Sequence, residues 1–413
     1  MNEYLLLLGA DSYLRERALA GARQASRLPI WNVVADPLRV NNRFFDGCIH
    51  ADPQDKEGIL EAIRCTMAQR QLAPRAIVPV NDWSLRQATF LNRELGLTGL
   101  SDEVTAQTRD KFLMKQKLRE RGVPTAAGRV IGGPAELDDA LREIALPVVI
   151  KPIDFGGSGG VSLARTPAQA HEALKFAMDM MDEYAEAYQV DATRFLVEEF
   201  IDSEEEVSVE VLCHGEQFQA IAVTEKYLSS LPYFAEIGHL VPSHRSDDAR
   251  LKEIACQACH ALGINLGIAH VEIKVRGGQY WVIELAARPG GDAIMDLVEN
   301  AYGENMYKRH VLSYLGCDPL FESLPVARKT AAISFLKARE GEIAQIRQDV
   351  DIPAAMTNLE IIVKPGHVSE ASKCWRSREG IAQFEWDEIR ATRRTDFIDS
   401  SQALADAIFV MRS

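Results

Sequence analysis

Short apolar runs alternate with helical stretches over the first hundred residues, and this alternation restricts the fold more than any other feature. The apolar runs typical of buried strands are residues 4–8, 30–34 and 76–80. Helical patterns separate or follow them at residues 12–26, 56–70 and 83–95. Strands that alternate with helices predict an α/β domain with a parallel sheet covered on both faces.

Small and polar residues stand at the carboxyl ends of these predicted strands. Gly9 and Asp11 follow the first strand, and the segment Pro-Val-Asn-Asp at 79–82 ends the third. Parallel sheets bind ligands at this edge, although simple turn chemistry explains each of these residues equally well.

Length and charge narrow the class of protein. At roughly 100 to 200 residues per domain, 413 residues predict two to four domains. The composition, 47% hydrophobic and 26% charged, is ordinary for a globular protein. The formal net charge of −14 argues against nucleic-acid binding, which depends on neutralising phosphates with Lys and Arg.

The compartment predicted for the chain is a reducing cytoplasm. No apolar run approaches the roughly 20 residues that span a bilayer, and the first ten residues lack the basic region of a signal peptide. Seven cysteines are scattered without a disulfide spacing. Cys256 and Cys259 form a CxxC, but they fall in a helical pattern that predicts small residues facing a core.

A buried strand at 147–150 leads into Lys151 and then into a glycine-rich loop at 156–160. Glycines allow backbone N–H groups to wrap phosphate oxygens, because no Cβ blocks the contact. No Gly-Lys-Ser/Thr follows, so the segment is not a P-loop. By itself it fits either a phosphate-binding loop or an ordinary one.

A second pattern joins two predicted strands, 194–199 and 206–213, through an acidic turn. The first strand leads into Glu198-Glu199-Phe200-Ile201, and Glu206 opens the second. Such a hinge offers backbone donors and acceptors to an adenine edge. An acidic hairpin on a solvated surface has the same pattern.

A third pattern places two carboxylates inside apolar strands, 268–275 and 279–285, joined by a glycine turn. Glu272 and Glu284 would repel each other there and resist ionising unless a cation lay between them. Mg²⁺, a hard ion that takes carboxylate oxygens, fits that requirement, and Mn²⁺ would fit it too. Arg288 follows at the strand exit, where its forked guanidinium suits a carboxylate or phosphoryl group. A structural Glu–Arg ion pair is the alternative.

The three patterns, in this order, resemble the ATP-grasp superfamily over about residues 1–315. The positions similar to the family's nucleotide-binding residues are Lys111, Lys151, Gly156, Gly157, Ser158, Gly159, Glu198, Glu199, Phe200, Ile201 and Glu206. Glu272 and Glu284 resemble its metal ligands, and Arg288 the arginine that faces an acyl-phosphate. The resemblance implies an ADP-forming ligase that activates a carboxylate with ATP and Mg²⁺ and couples it to an amine.

The resemblance also implies a domain order. A Rossmann-like parallel-sheet domain would cover 1–104 and the ATP-grasp region 105–315, with a mobile small subdomain at about 125–198. A lid-like subdomain would occupy 316–413, which carries no readable motif. Dimers are common in the superfamily, so a homodimer is one expectation by analogy.

Within the superfamily, residues 224–227 and 234–242 resemble bacterial L-amino-acid ligases, which make dipeptides. That likeness implies that Glu236 binds an ammonium group and that His239 lies near the acyl-phosphate, although a loop histidine bonded to backbone is the alternative. Beyond the Gly290-Gly291 turn, Asp292 could recognise a further polar group.

One position departs from the superfamily. Many members carry Asn two residues after the second metal carboxylate, and this chain has Ala286, which leaves the number of bound ions open. Rival functions are a carboxylase or nucleotide-biosynthesis ligase using bicarbonate or formate, and an ATP-binding protein without catalysis. The paired carboxylates and Arg288 argue against the last, since binding alone needs less.

Overall fold

The computed structural model describes residues 2–10, 16–35, 44–203, 205–389 and 395–412. Asp11 and the predicted start of the first helix at residue 12 lie outside these residues. Within the described part of the chain, no helix is both long and apolar enough to cross a bilayer. The seven cysteines are all free.

The N-terminal sheet has four parallel strands in the order β3-β2-β1-β4. Its strands are β1 (Asn2–Leu8), β2 (Ile30–Val34), β3 (Gly47–His50) and β4 (Leu72–Pro79). Its helices are α1 (Glu16–Ala25), α2 (Lys56–Arg70) and α3 (Asp82–Leu95). The predicted parallel α/β sheet is confirmed. Sequence analysis missed β3 because this four-residue strand buries only Ile49.

Two helices, α4 (Asp102–Arg109) and α5 (Lys111–Glu120), follow the sheet. The sequence pattern predicts one charged helix over 106–121, and this prediction is wrong because two helices meet at Asp110. Asp110 is extended, and its carboxylate accepts hydrogen bonds from the backbone N of Phe112 and Leu113 at 2.9 and 3.0 Å. This cap starts a new helix and directs Lys111 away from α4.

A small antiparallel sheet with the order β5-β8-β6-β7 has its own apolar core. Its strands are β5 (Gly128–Ile131), β6 (Val148–Pro152), β7 (Ser162–Ala164) and β8 (Phe195–Glu199). Two helices pack on it, α6 (Pro134–Glu143) and α7 (Pro167–Tyr188). The sequence pattern predicts a polar helix from residue 167 to about residue 188, and this prediction is confirmed.

The largest sheet has eight antiparallel strands in the order β13-β12-β9-β10-β11-β14-β18-β16. The strands up to the hairpin are β9 (Glu205–His214), β10 (Gln217–Leu228), β11 (Glu236–Val241), β12 (Leu266–Arg276) and β13 (Gln279–Ala286). The strands that extend the sheet from the C-terminal region are β14 (Thr330–Leu336), β16 (Met356–Ile361) and β18 (Gly380–Trp386). The predicted hairpin across the Gly277-Gly278 turn is confirmed.

Three helices accompany the large sheet: α8 (Ala249–Ala261), α9 (Ile294–Tyr302) and α10 (Met306–Tyr314). Cys256 and Cys259 lie on α8, and Cys259 is buried in the core, as the helical pattern predicts. His310 of α10 connects two sheets, because Nε2 donates to the carbonyl of Pro79 at 2.8 Å and Nδ1 accepts from the N of Ile268 at 3.0 Å.

A three-stranded sheet closes the chain. It contains β15 (Gly341–Ile346), β17 (Val368–Ser369) and β19 (Phe409–Met411), with α11 (Ser400–Ile408) beside it. The sequence pattern predicts a final helix around residues 401–411. This prediction is wrong at its end, because Phe409 pairs with Ile346 and Met411 with Ile343 as strand residues.

Candidate functional site

One cavity of about 610 Å³ lies where the N-terminal sheet, the small sheet and the large sheet meet. This volume suits a small-molecule ligand. The predicted residues that line it are Lys111, Lys151, Gly156, Gly157, Ser158, Glu198, Glu199, Ile201, Glu206, Glu236, Glu272, Glu284, Arg288, Gly290, Gly291 and Asp292. Gly159, Phe200 and His239 do not line it. Gly9, Asn81 and Asp82 do, so the carboxyl edge of the parallel sheet faces the cavity.

The floor of the cavity is one face of the large sheet, where partners in register form rows across the strands. Glu284 lies opposite Glu272, and Glu272 opposite Ser208. In the next row Lys274 lies opposite Glu206, and Glu206 opposite Lys226. Alternate residues of β12, Val271 and Ile273, point the other way and are buried in the core. Strand alternation therefore brings the charged groups of these two rows to one side of the sheet.

Lys111 begins α5 and reaches the glycine loop and the paired carboxylates. Its Nζ lies 2.9 Å from Oε1 of Glu284 and donates to the carbonyl of Phe155 at 2.6 Å. The predicted first nucleotide lysine thus lies beside a predicted metal ligand.

Glu198 is shared by two buried lysines. Its carboxylate lies 2.6 Å from Nζ of Lys151 and 3.1 Å from Nζ of Lys115. Burial alone would raise the pKa of Glu198, but the two ammonium groups hold it below its usual range. Burial lowers the pKa of Lys115 to about 8. Sequence reasoning missed Lys115, although it lies one turn after Lys111 on the same helix face.

Lys226 of β10, also missed, is the central cation of the floor. Its Nζ lies 2.7 Å from Glu236 and 3.7 Å from Glu206, and it also pairs with Glu272. Burial alone would lower the pKa of Lys226, but the three carboxylates raise it well above its usual value. Lys226 therefore stays charged and offsets part of the negative charge of the three carboxylates.

The paired carboxylates fit a divalent cation. Glu272 and Glu284 lie opposite each other in register, and each now has a lysine as its cation, Lys226 and Lys111. Carboxylates so placed have oxygens available for a hard ion. Ala286 lies opposite His270, whose Nδ1 lies 2.5 Å from Oε1 of Glu210 and whose Nε2 lies 3.3 Å from Glu272. A histidine and a methyl group stand at the position where the resemblance expects an amide.

Arg288 leaves β13 at the rim of the cavity and points toward the parallel sheet. Its Nε donates to Oδ2 of Asp82 at 2.8 Å, its Nη2 donates to the same oxygen, and its Nη1 donates to the carbonyl of Pro289 at 2.9 Å. Glu272 and Glu284 take other cations, so the alternative of a structural Glu–Arg pair does not hold in this structure; the arginine pairs with Asp82 instead.

The residues predicted to bind substrate form an ion-pair cluster that includes a residue from the C-terminal region. Arg378 donates to both oxygens of Asp292, at 2.9 and 2.7 Å, and its Nη2 lies 3.5 Å from Glu236. The guanidinium stacks on Phe335 at 3.5 Å from the ring centroid. His239 is fully buried, with Nε2 3.9 Å from Glu236. Ligand atoms of Glu236, His239 and Asp292 lie within 4.8 Å of one another, and Lys226 and Arg378 each pair with one of the two carboxylates.

The glycine loop is held by contacts at both sides. Gly157 has φ +63°, and a Cβ there would lie 2.3 Å from Cδ1 of Trp375. Trp375 N donates to the carbonyl of Gly157 at 3.2 Å, and Ser158 Oγ donates to the carbonyl of Phe234 at 2.8 Å. The loop in this structure is closed onto the C-terminal region.

The predicted adenine hinge lies at the other end of the cavity. Glu199 and Ile201 line it, and Phe200 faces an adjoining pocket of about 370 Å³. Lys274 lies 5.3 Å from the ring centroid of Phe200, and its Nζ donates to the carbonyl of Ile201 at 3.4 Å. Lys274 of the cavity floor thus holds the segment that leads into the acidic turn.

Comparisons with known proteins identify the class. Residues 144–296 match the family described as ATP-grasp domain. The whole chain superposes on the L-amino acid ligase of Bacillus licheniformis with a TM-score of 0.81 and 18% identity, covering 100% of this chain and 99% of that one. Residues 144–296 are therefore similar to an ATP-grasp domain, and the chain has the ATP-grasp fold, as the sequence predicts.

Sequence relatives include proteins named as a synthase, a ligase and a formyltransferase. Dapdiamide A synthase of Enterobacter agglomerans is 30% identical over 58% of this chain and 57% of the relative. Alanine–anticapsin ligase of Bacillus subtilis is 26% identical over 62% and 56%. A formate-dependent phosphoribosylglycinamide formyltransferase of Stenotrophomonas maltophilia is 26% identical over 68% of each chain. The matched segment spans little more than half the length of the first two relatives.

Proposed function

We propose that the protein is an ADP-forming ligase that joins the carboxylate of one small molecule to the amine of another. The observation that carries this proposal is the position of Arg288, Glu272 and Glu284. These three residues face one cavity together with the glycine loop and two buried lysines. ATP binding without catalysis does not need an arginine at the far side of paired carboxylates.

The nucleotide would lie between the small sheet and the floor. Glu199 and Ile201 would meet the adenine, Glu206 the ribose hydroxyls, and Lys151 and Lys111 the phosphates, under the backbone of Gly156, Gly157, Ser158 and Gly159. Glu272 and Glu284 would hold Mg²⁺ or Mn²⁺, which would neutralise phosphate charge when bound. Backbone N–H groups and lysines already in place need little reorganisation when charge develops on the phosphates.

The reaction would begin when a carboxylate oxygen of the first substrate attacks the γ-phosphorus of ATP, giving an acyl-phosphate and ADP. Arg288 would bind the acyl-phosphate, because a guanidinium offers paired donors to phosphoryl oxygens. The closed glycine loop would exclude water, which otherwise hydrolyses the intermediate.

A neutral amine of the second substrate would then attack the acyl carbon and release phosphate. His239 and the departing phosphate are the two candidates for accepting its proton. Because His239 is fully buried behind Glu236 and outside the cavity lining, we assign the proton to the phosphate and a supporting role to His239.

Two carboxylates that face the cavity support an amino acid as one substrate. Glu236 and Asp292 line the cavity beyond Arg288, where an ammonium group could bind between them. Dapdiamide A synthase and alanine–anticapsin ligase agree with such substrates by name. Formate, which the formyltransferase relative uses by name, has no ammonium group for these residues.

A screen of ADP and phosphate release over pairs of amino acids tests the proposal, with mass spectrometry of the products. A ligase responds to a pair more strongly than to either member alone. Release that depends on bicarbonate or formate instead would assign the chain to the rival ligases, and formation of AMP would exclude the acyl-phosphate route.

A further inference from the structure

Asp82 lines the cavity but takes no part in the reaction described above. It is the first residue of α3, and Asn81 caps that helix by accepting a hydrogen bond from the N of Ser84 at 2.9 Å. The cap places the Asp82 carboxylate at the carboxyl edge of the parallel sheet, facing β13. Its side chain is 14% exposed.

The hydrogen bonds of Arg288 divide its guanidinium into two edges. The group has five N–H donors in a fixed plane. Asp82 takes the edge formed by Nε and Nη2, and the carbonyl of Pro289 takes one donor of Nη1. Within the described residues, one N–H on Nη1 and one on Nη2 have no acceptor. We call these two donors the outer edge, and they can bind an incoming phosphoryl or carboxylate group.

Asp82 is itself held by a second arginine. Its Oδ1 lies 2.6 Å from Nη1 of Arg109, whose Nη2 lies 2.6 Å from Asp154. Asp154 in turn lies 2.6 Å from Nη2 of Arg86. Burial alone would raise the pKa of Asp82, but Arg288 and Arg109 hold it well below its usual range. The carboxylate is thus ionised and fixed through both oxygens.

We propose that Asp82 is a positioning residue for Arg288, because it fixes the guanidinium plane and leaves the outer edge free for the acyl-phosphate. The inference rests on the proposed function, in which Arg288 meets that intermediate. Asp82 touches no reacting atom. A displacement of about 1 Å in such a group can cost about 10²-fold in rate.

A double-mutant cycle of Asp82→Asn and Arg288→Ala tests this role, using the full chain and an active acid–amine pair. Asp82→Asn should lower kcat by about 10- to 100-fold and leave the KM for ATP within about twofold. In the Arg288→Ala background the same change should alter kcat by less than about twofold, because the group that Asp82 positions is gone.

Glu94→Gln is the matched control, since it removes a carboxylate from an exposed arginine pair on the same helix. It should leave kcat unchanged. If Asp82→Asn does not fold, Asp82→Glu keeps the charge but moves the carboxylate by one methylene, and should lower kcat with an unchanged KM for ATP.

The outcomes separate the inference from the proposed function. The positioning role would be overturned if the reductions in kcat caused by Asp82→Asn and Arg288→Ala multiply in the double variant. It would also be overturned if both Asp82 variants keep the wild-type kcat. A wild-type chain that forms no ADP with any acid–amine pair would overturn the proposed function and the inference together.

Discussion

Glu198 pairs with two buried lysines at the end of the cavity where we propose that the nucleotide binds. Removing its charge by Glu198→Gln would leave Lys115 and Lys151 without their nearest carboxylate, which we expect to cost about 3 to 5 kcal/mol of unfolding free energy. Urea denaturation measures this loss. Glu143→Gln, which breaks an exposed pair with Arg129 in the same small domain, should cost no more than about 1 kcal/mol. Equal losses would contradict the shared role of Glu198.

Glu284 is the residue that tests the metal proposal most directly. Glu284→Gln should shift the Mg²⁺ titration of activity to at least about 10-fold higher concentrations, because a neutral amide binds a hard ion less well. The titration is run at saturating ATP. The same midpoint in wild type and variant would remove Glu284 from the metal site.

Arg288 separates nucleotide binding from chemistry. Arg288→Ala should lower kcat by at least about 10²-fold while the Kd of ATP stays within about threefold, because the side chain contacts Asp82 and Pro289 rather than the hinge or the glycine loop. Equilibrium binding and steady-state kinetics on the same preparation check this. A large loss of ATP affinity would place Arg288 on the nucleotide instead.

The relative positions of the site residues could be predicted where one short segment of sequence contains all the residues concerned. Glu272 and Glu284 share a hairpin, so their approach follows from strand alternation alone. Lys226 was missed because its place opposite Glu206 depends on β10, a strand that sequence analysis did not identify. Arg378 meets Asp292 across 86 residues, and no local periodicity encodes such a contact.

Among the elements, the glycine loop and the turn at Trp375–Ser377 form a latch over the cavity. Trp375→Ala should loosen this closure and let water reach the intermediate. We expect more ADP per product formed, by about twofold or more, with ADP release itself preserved. Parallel assays of ADP and product measure the ratio. Lys373→Ala, an exposed change in the same segment, is the control, and an unchanged ratio in Trp375→Ala would exclude the latch.

Element boundaries were predictable where capping and periodicity agree, as in α2 and α7. The predicted boundaries are wrong at Asp110, where a capping aspartate inside a continuous helical pattern divides one predicted helix into two. The predicted boundary is also wrong at Phe409, because strand pairing of this residue with β15 outweighs the helical pattern of the last residues. Both failures come from contacts that intrinsic helix propensity does not describe.

At the scale of the whole molecule, His310 joins the N-terminal sheet to the large one. Burial lowers the pKa of His310 from 6.5 to about 4. Between pH 6.5 and pH 4, the unfolded chain therefore binds a proton at this histidine and the folded chain does not. The contribution of the neutral His310 to the free energy of unfolding is complete above pH 6.5 and is lost as the pH falls toward 4. From pH 6.5 to pH 5, this group lowers the free energy of unfolding by about 2 kcal/mol.

Denaturation of wild type and His310→Gln at both pH values checks this expectation. The glutamine does not titrate, so the variant should lose about 2 kcal/mol less than wild type over the same interval. Equal losses in the two proteins would mean that other groups carry the acid sensitivity.

The floor of the cavity has a consequence for how such a chain can diverge. Its charged rows exist because β9, β10 and β12 place every second residue on one face. Inserting one residue into β12 would turn Val271 and Ile273 toward the cavity and bury Glu272 and Lys274 in apolar core. Descendants of this sequence can therefore alter the floor by substitution, while insertions and deletions are confined to the loops around it.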